Sequence, residues 1–185
     1  MKTSNSTCEN GLSIDFLAHH PWCVTELAGH FYEHWRGYYD QRGVTPAAIR
    51  NALHERANLD SLPLAVVALR EGVPVGTATI KPQDLDCRPD FTPWLAGVMV
   101  APEYRRQGIA TALVERIVEE ALRLRLPRLY LWTPNSESMY TRLGWSRIEK
   151  IPYFGSEITI MKRELISRWE EGVDQFVGAR GNLAI

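Results

Sequence analysis

The residues between Val98 and Thr111 carry the densest chemistry of the chain. An apolar strand pattern runs into a basic turn that contains Arg105, Arg106 and Gly108, and an amphipathic helical pattern follows. Such a turn gathers unpaired backbone N–H groups and the positive end of the helix dipole at one place. The segment therefore predicts a binding site for a pyrophosphate, where Gly108 lets the phosphates approach the backbone.

This phosphate site is not one of the two best-known kinds. The chain has no G-x-G-x-x-G at this turn, which disfavours a dinucleotide fold, and no GKS or GKT, which disfavours a P-loop. Alone, R-x-x-G-x-A would describe the basic first turn of an ordinary helix. A second motif follows it, however: Asn135, and then Tyr140-Thr-Arg-Leu-Gly-Trp145.

The elements that must position these motifs follow from the periodicity of apolar residues. Glycine inside the strand at 94–100 also predicts a bulge or a close backbone approach at Gly97. The element order is β-α-α-β-β-β-α-β-α-β-β, which predicts an α/β fold with a mixed sheet flanked by helices. Strands are expected at 12–17, 64–70, 73–80, 94–100, 129–132, 145–151 and 157–162, and helices at 24–38, 46–57, 109–124 and 136–143.

Together, the motifs and the element order resemble the GNAT superfamily of acyl-CoA-dependent N-acyltransferases. The run V-x-V-x-P-x-x-R-R-x-G-I-A-x-x-L is similar to its cofactor signature, and Tyr140–Trp145 is similar to its Y-x-x-L-G-F/W motif. The resemblance covers roughly Leu12 to Leu165. It implies a single GNAT-like domain at 12–165, preceded by a flexible tail at 1–11 and followed by an extension at 166–185.

The resemblance also implies an activity and a role for each matching residue. The activity is transfer of acetyl from acetyl-CoA, a co-substrate, to a primary amine. Tyr140 would sit near the thiol sulfur as the catalytic acid, and the Val98 N–H would point at the thioester carbonyl. The residues implied to bind the cofactor are Val98, Met99, Val100, Arg105, Arg106, Gln107, Gly108, Ile109, Ala110, Thr111 and Asn135.

The general base is where this sequence departs from many relatives. They often carry a glutamate on the strand that leads into the cofactor loop, whereas here that strand reads Trp-Leu-Ala-Gly-Val-Met-Val. Asp84 and Asp86 precede that strand, where an amine could reach them, and Asp90 and Glu33 are further candidates. Solvated loop acids, a water chain or no dedicated base remain equally open.

The acceptor is expected in a groove walled by aromatic side chains. Trp35 and Tyr153 are candidate substrate contacts with Asp84 and Asp86, because aromatic rings and acids together suit a cationic amine. An aromatic stripe at helical spacing is more often core, however. Polyamine-like molecules, antibiotics, amino-acid derivatives, lysine side chains and protein N-termini all remain open as acceptors.

Two other functions compete with this interpretation. His30, Glu33 and His34 spell H-x-x-E-H, a zinc-peptidase pattern. No third ligand or companion motif follows, so we expect no metal. A module that binds acyl-CoA without catalysis is the other alternative, and the intact Tyr140 argues against it.

Bulk composition adds few constraints. The net charge is −1, so nothing global indicates nucleic acid or an anionic membrane as partner. Three scattered cysteines and the lack of a signal or membrane-spanning segment favour a reduced cytoplasm. Sheet edges near the C-terminus leave a homodimer open.

Overall fold

The computed structural model describes residues 11–165. Their seven strands form one mixed sheet in the order β1-β2-β3-β4-β5-β7-β6. The predicted α/β class and strand sequence are confirmed. The predicted extension at 166–185, and the predicted tail apart from Gly11, lie outside this range. Its elements are β1 (Leu12–Phe16), α1 (Cys23–His34), α2 (Arg36–Arg42), α3 (Pro46–Glu55), β2 (Leu64–Arg70), β3 (Val73–Lys81), β4 (Trp94–Val100), α4 (Ile109–Arg123), β5 (Arg128–Thr133), α5 (Glu137–Arg142), β6 (Ser146–Tyr153) and β7 (Ser156–Glu164).

Helices cover both faces of the sheet, which explains why the central strands read as continuous apolar runs. Leu64 and Val66 of β2 belong to the core beneath α4, whereas Ala65 and Val67 belong to the core beneath α1 and α3. Successive residues of β2 therefore serve opposite cores. Within the described range no helix is both long and apolar enough to cross a bilayer.

The N-terminal helices differ from the prediction in one respect. The predicted helix at 24–38 divides at Trp35, whose φ of −116° and ψ of 28° leave the helical region. None of the α2 residues is buried, and Tyr39 alone packs, half-buried, against the core beneath α1 and α3. This single contact does not hold α2 on the axis of α1, and Gly37 weakens its first turn. The predicted start of α3 is confirmed, since the Thr45 hydroxyl accepts a hydrogen bond from the Ala48 N–H at 3.2 Å.

An opening between β4 and β5 is the main irregularity of the sheet. These strands are parallel, and Trp94 with Tyr130 is the one registered pair between them. On the other side of β4, Gly97 and Val98 lie between the pairs Thr79–Ala96 and Thr77–Met99, so two residues oppose one of β3. The bulge expected from Gly97 is confirmed, and the glycine takes a φ of 59°.

Gly97→Ala is expected to lower the free energy of unfolding by roughly 1–2 kcal/mol, because an L-residue is strained in this left-handed conformation. The added Cβ would also lie 3.3 Å from Cζ of Phe31. Gly29→Ala in α1 is the control, since a Cβ there meets nothing within 4 Å and should stabilise the helix by about 0.5–1 kcal/mol. Equal urea midpoints for the two variants would contradict the argument.

Candidate active site

A cavity of about 580 Å³ lies where β4 and β5 separate. The bulged segment of β4 forms one side of it, the segment after β5 with α5 forms another, and α1, α2 and α3 close the rest. The cavity brings together, from distant positions in the sequence, five of the predicted catalytic, cofactor and substrate residues: Trp35, Asp84, Val98, Asn135 and Tyr140.

The β4 side of the cavity offers backbone rather than side chains. Past Trp94, β4 has no registered pair with β5, so backbone polar groups face the opening without a strand partner. An extended ligand could pair there as a strand would. The Val98 side chain is half-buried and lines the cavity, whereas Met99 is buried in the core on the α1 side and can contribute its backbone only.

The loop before α4 has the geometry of an anion site. Arg106 and Gly108 take φ values of 59° and 80°, and such alternating backbone turns successive N–H groups toward one side. The helix closes its first bond between the Ala112 N–H and the Gly108 oxygen at 3.0 Å, which leaves the N–H groups of its first turn, Ile109 to Thr111, available. A Cβ at Gly108 would meet nothing within 4 Å, so the space over this loop is open.

The side chains of Arg105 and Gln107 are bonded to the protein itself. Arg105 donates from Nε to the Val100 oxygen at 3.1 Å and lies 2.8 Å from Nδ1 of His34. Gln107 accepts a hydrogen bond from Arg70. These contacts hold the loop against β2, β4 and α1. Arg106, in contrast, is exposed, and its side chain makes no hydrogen bond, ion pair or ring contact with any other described residue.

Two residues of the zinc-peptidase pattern on α1, Glu33 and His34, contact arginine side chains. Burial, and then the charge of Arg105, lower the pKa of His34, so its neutral ring can accept from that guanidinium. Glu33 pairs with Arg36 and is exposed. Within residues 11–165 no group of three His, Cys, Asp or Glu side chains could hold a metal ion.

Tyr140 places a neutral phenol at the cavity. Its side chain is 7% exposed and packs edge-on against Trp145, with ring centroids 6.0 Å apart. Burial raises its pKa to about 12, so the hydroxyl keeps its proton at neutral pH. That hydroxyl has no hydrogen-bond partner in the described part of the chain, which leaves it free for a ligand.

Of the four acids considered as a base, Asp84 is the one that lines the cavity. One carboxylate oxygen accepts from Lys81 Nζ at 2.7 Å and the other from Trp132 Nε1 at 2.8 Å. Asp86 and Asp90 are exposed and, like Glu33, do not line the cavity. Sequence reasoning missed both partners: Lys81, which lies three positions before Asp84, and Trp132, whose hydrogen bond to Asp84 spans 48 positions that no spacing rule connects.

The expected aromatic wall is present, with one change in its membership. Trp35 lines the cavity with Phe31, Tyr38 and Tyr39. Tyr153 lies outside the lining, packed on Trp132 with ring centroids 5.5 Å apart, and burial raises its pKa to about 12.

Two arginines that line the cavity, Arg42 and Arg56, were also missed. Their positions in sequence look like those of ordinary charges on a helix surface. Neither arginine lies in a sequence motif that would have indicated a functional role.

Comparisons with solved structures show the same fold. An aminoglycoside 6'-acetyltransferase of type Ii is 20% identical, with a TM-score of 0.66 over 84% of this chain and 98% of that chain. The yncA protein of Salmonella typhimurium, solved with acetyl-CoA, is 21% identical, with a TM-score of 0.66 over 86% and 96%. An aminoglycoside 6'-N-acetyltransferase complexed with coenzyme A is 18% identical, with a TM-score of 0.65 over 84% and 98%.

The family itself is shown by a sequence model. No curated protein matches the chain. The model of the acetyltransferase (GNAT) family, in contrast, matches residues 26–145, a span that contains the β4 bulge, the α4 loop and Tyr140. The chain therefore belongs to the acetyltransferase (GNAT) family, as its motifs predicted.

Proposed function

We propose that this protein is an N-acetyltransferase that moves acetyl directly from acetyl-CoA to a primary amine. The observation that carries the proposal is the meeting, in one cavity, of a bulged strand whose β5 side is unpaired beyond Trp94 and a neutral buried phenol; the anion loop follows the same strand. Two similar folds were solved with coenzyme A or acetyl-CoA, which supports the choice of co-substrate. The free thiols of Cys23 and Cys87 agree with a reduced cytoplasm, which we propose as the location.

Co-substrate binding is assigned to the loop and to β4. The backbone from Arg106 to Thr111 receives the diphosphate, with charge added by Arg106. The pantetheine arm pairs with the backbone of Val98 to Val100 where β5 has diverged from β4, and Asn135 contacts the arm from the other side.

The transfer step is assigned as follows. The neutral amine attacks the thioester carbonyl, and the Val98 N–H donates to the oxygen that becomes negative. The C–S bond then breaks, and the departing sulfur takes the proton of the Tyr140 hydroxyl. The nitrogen releases one proton to water, and Tyr140 regains one. Asp84, whose two oxygens already hold one hydrogen bond each, is positioned to bind the amine.

Gly108→Leu should abolish the stabilisation by acetyl-CoA, because the side chain would fill the open space over the loop where the phosphates lie. At a hundredfold excess over Kd, wild type should gain about 2.7 kcal/mol. Thermal unfolding with and without acetyl-CoA measures this gain. Gly43→Leu is the control, since Gly43 shares the left-handed backbone and open surroundings away from the loop. An equal gain in both variants would place the phosphates elsewhere.

Arg106→Gln should raise the KM for acetyl-CoA about 3- to 10-fold and change kcat less than twofold, because an exposed charge contributes ground-state binding. Steady-state kinetics at varied acetyl-CoA would measure both constants. Arg125→Gln is the matched control, because Arg125 is also exposed and has a φ of 55° at the far end of α4. A lower kcat with an unchanged KM would instead assign Arg106 to the chemical step.

Tyr140→Phe should lower kcat by ~10²-fold and leave acetyl-CoA binding nearly intact, because it removes the proton donor and keeps the ring. Thiol release at saturating acetyl-CoA with a competent amine is the measurement. Tyr130→Phe is the control, since Tyr130 is also buried but does not line the cavity.

The pH dependence gives a second readout for Tyr140. With its pKa raised to about 12, the phenol stays protonated below pH 10. Wild-type kcat should therefore not fall as the pH rises from 7 to 10. Undiminished turnover in Tyr140→Phe would remove this hydroxyl from the mechanism. Stabilisation by acetyl-CoA without turnover of any amine would instead favour the acyl-CoA-binding module.

A further inference from the structure

Two guanidinium groups line the cavity without an acidic partner. The third cation there, Lys81, is neutralised by Asp84 at 2.7 Å, and Asp84 is the one carboxylate of the lining. Within residues 11–165, Arg42 and Arg56 form no ion pair. The cavity therefore carries an excess of positive charge, which a ligand with a negative group would neutralise.

Arg56 is the deeper of the two. It follows the last residue of α3 and lies 5.9 Å from the centroid of the Phe31 ring. Burial lowers the pKa of Arg56, and the charges of Tyr39, Asp84 and Glu55 offset this only in part. A guanidinium nevertheless keeps its proton. Its side chain has no hydrogen-bond partner among the described residues. A desolvated charge without partners is costly unless a ligand supplies them.

The place of Arg56 fixes where its ligand must lie. Its Nη1 atom is 3.5 Å from the position that a Cβ on Gly97 would take. Gly97 directly precedes Val98, whose N–H is assigned to the thioester carbonyl. A negative group on Arg56 would therefore lie close to the reacting amine.

Arg42 stands nearer the turn between β6 and β7. Its guanidinium carbon is 4.6 Å from the centroid of Tyr38 and 4.2 Å from that of Phe154. Contact with ring faces leaves the N–H edge of a guanidinium free to donate. Arg42 thus adds positive charge to the same cavity.

We propose that the acceptor is an amino carboxylate, a small molecule whose primary amine stands next to a carboxylate. This deepens the proposed function and rests on it. The carboxylate binds the fork of Arg56, a geometry that a planar guanidinium matches with two hydrogen bonds. The amine lies toward Asp84, and the aromatic side chains receive the remainder. A polyamine is disfavoured, because Arg42 and Arg56 would repel its additional charges.

The test is thiol release at saturating acetyl-CoA with matched acceptors. For each of phenylalanine, leucine and methionine, the amino acid is compared with its amide and with the amine that lacks the carboxylate, which for phenylalanine is phenethylamine. For wild type, kcat/KM should be roughly 10- to 100-fold higher for the acid than for its amide, the range of one charge-assisted contact. The amide has the more readily deprotonated amine, so amine basicity cannot produce this preference.

Arg56→Met should raise the KM for the acid by the same 10- to 100-fold and change the KM for the amide less than about threefold. Arg56→Lys should keep part of the preference for the acid. Arg50→Met is the control, because Arg50 is exposed on α3, the helix that Arg56 follows, and does not line the cavity. Stabilisation of each variant by acetyl-CoA reports whether it folds.

Equal or better turnover of the amides or the decarboxylated amines by wild type would overturn the amino carboxylate assignment and leave the N-acetyltransferase intact. An equal loss for acid and amide in a folded Arg56→Met protein would also overturn it. The absence of both acetyl-CoA stabilisation and thiol release with every amine would overturn the proposed function itself.

Discussion

The separation of β4 from β5 is the constraint on which the rest of the structure depends. A cluster at the registered end holds the two strands together: Tyr130 stacks on Phe91 with centroids 4.6 Å apart and lies 5.8 Å from Trp94. Beyond that point the strands diverge, and the backbone of β4 is left without partners on one side. Unpaired backbone groups are costly when buried away from water. They are tolerated here because they face a cavity, where a ligand can complete the ladder.

The bulge at Gly97 affects both the packing beside β4 and its backbone pairing. On one face of β4 the glycine leaves room for Phe31 and Arg56, which a side chain at this position would crowd. The same bulge also takes the backbone at Val98 out of regular pairing with β3. In the proposed mechanism, the conformation that makes room for the acceptor is thus the one that would direct a backbone donor at the thioester. One substitution at this glycine would disturb both functions.

The sequence predicts most of the fold because the relevant signals are local. Long periodic segments such as β2 and α4, and the Thr45 cap of α3, depend on neighbours along the chain, so pattern and capping suffice. The break at Trp35 was missed because the helical spacing of aromatic residues continues through it. It reflects the sparse core packing of α2, of which Tyr39 alone contacts the core, together with the weak first turn at Gly37.

The candidate site was predictable to a smaller extent. The loop before α4 and Tyr140 carry recognisable motifs, and the structure places both beside the strand opening. The choice among the acids depends on long-range contacts instead: Trp132 bonds to Asp84 across 48 positions, which no spacing rule reveals. The same applies to Arg42 and Arg56, because their significance comes from the lack of an acidic partner among the described residues, which only the structure reveals.

Charge balance in the cavity also bears on the protonation of the acceptor. Attack on a thioester requires a neutral amine, and nearby unpaired cations lower the pKa of a bound ammonium group. Arg42 and Arg56 would thus favour the reactive form, at the expense of binding a simple cationic amine. A carboxylate on the acceptor would restore that binding, because it would neutralise the half-buried guanidinium of Arg56. Lys81 forms an ion pair with Asp84, which offsets the negative charge of that carboxylate. Asp84 could therefore orient the amine nitrogen of the acceptor without strongly raising its pKa. In the proposed complex Arg42 would remain without an acidic partner, so its charge would still favour the neutral amine that reacts.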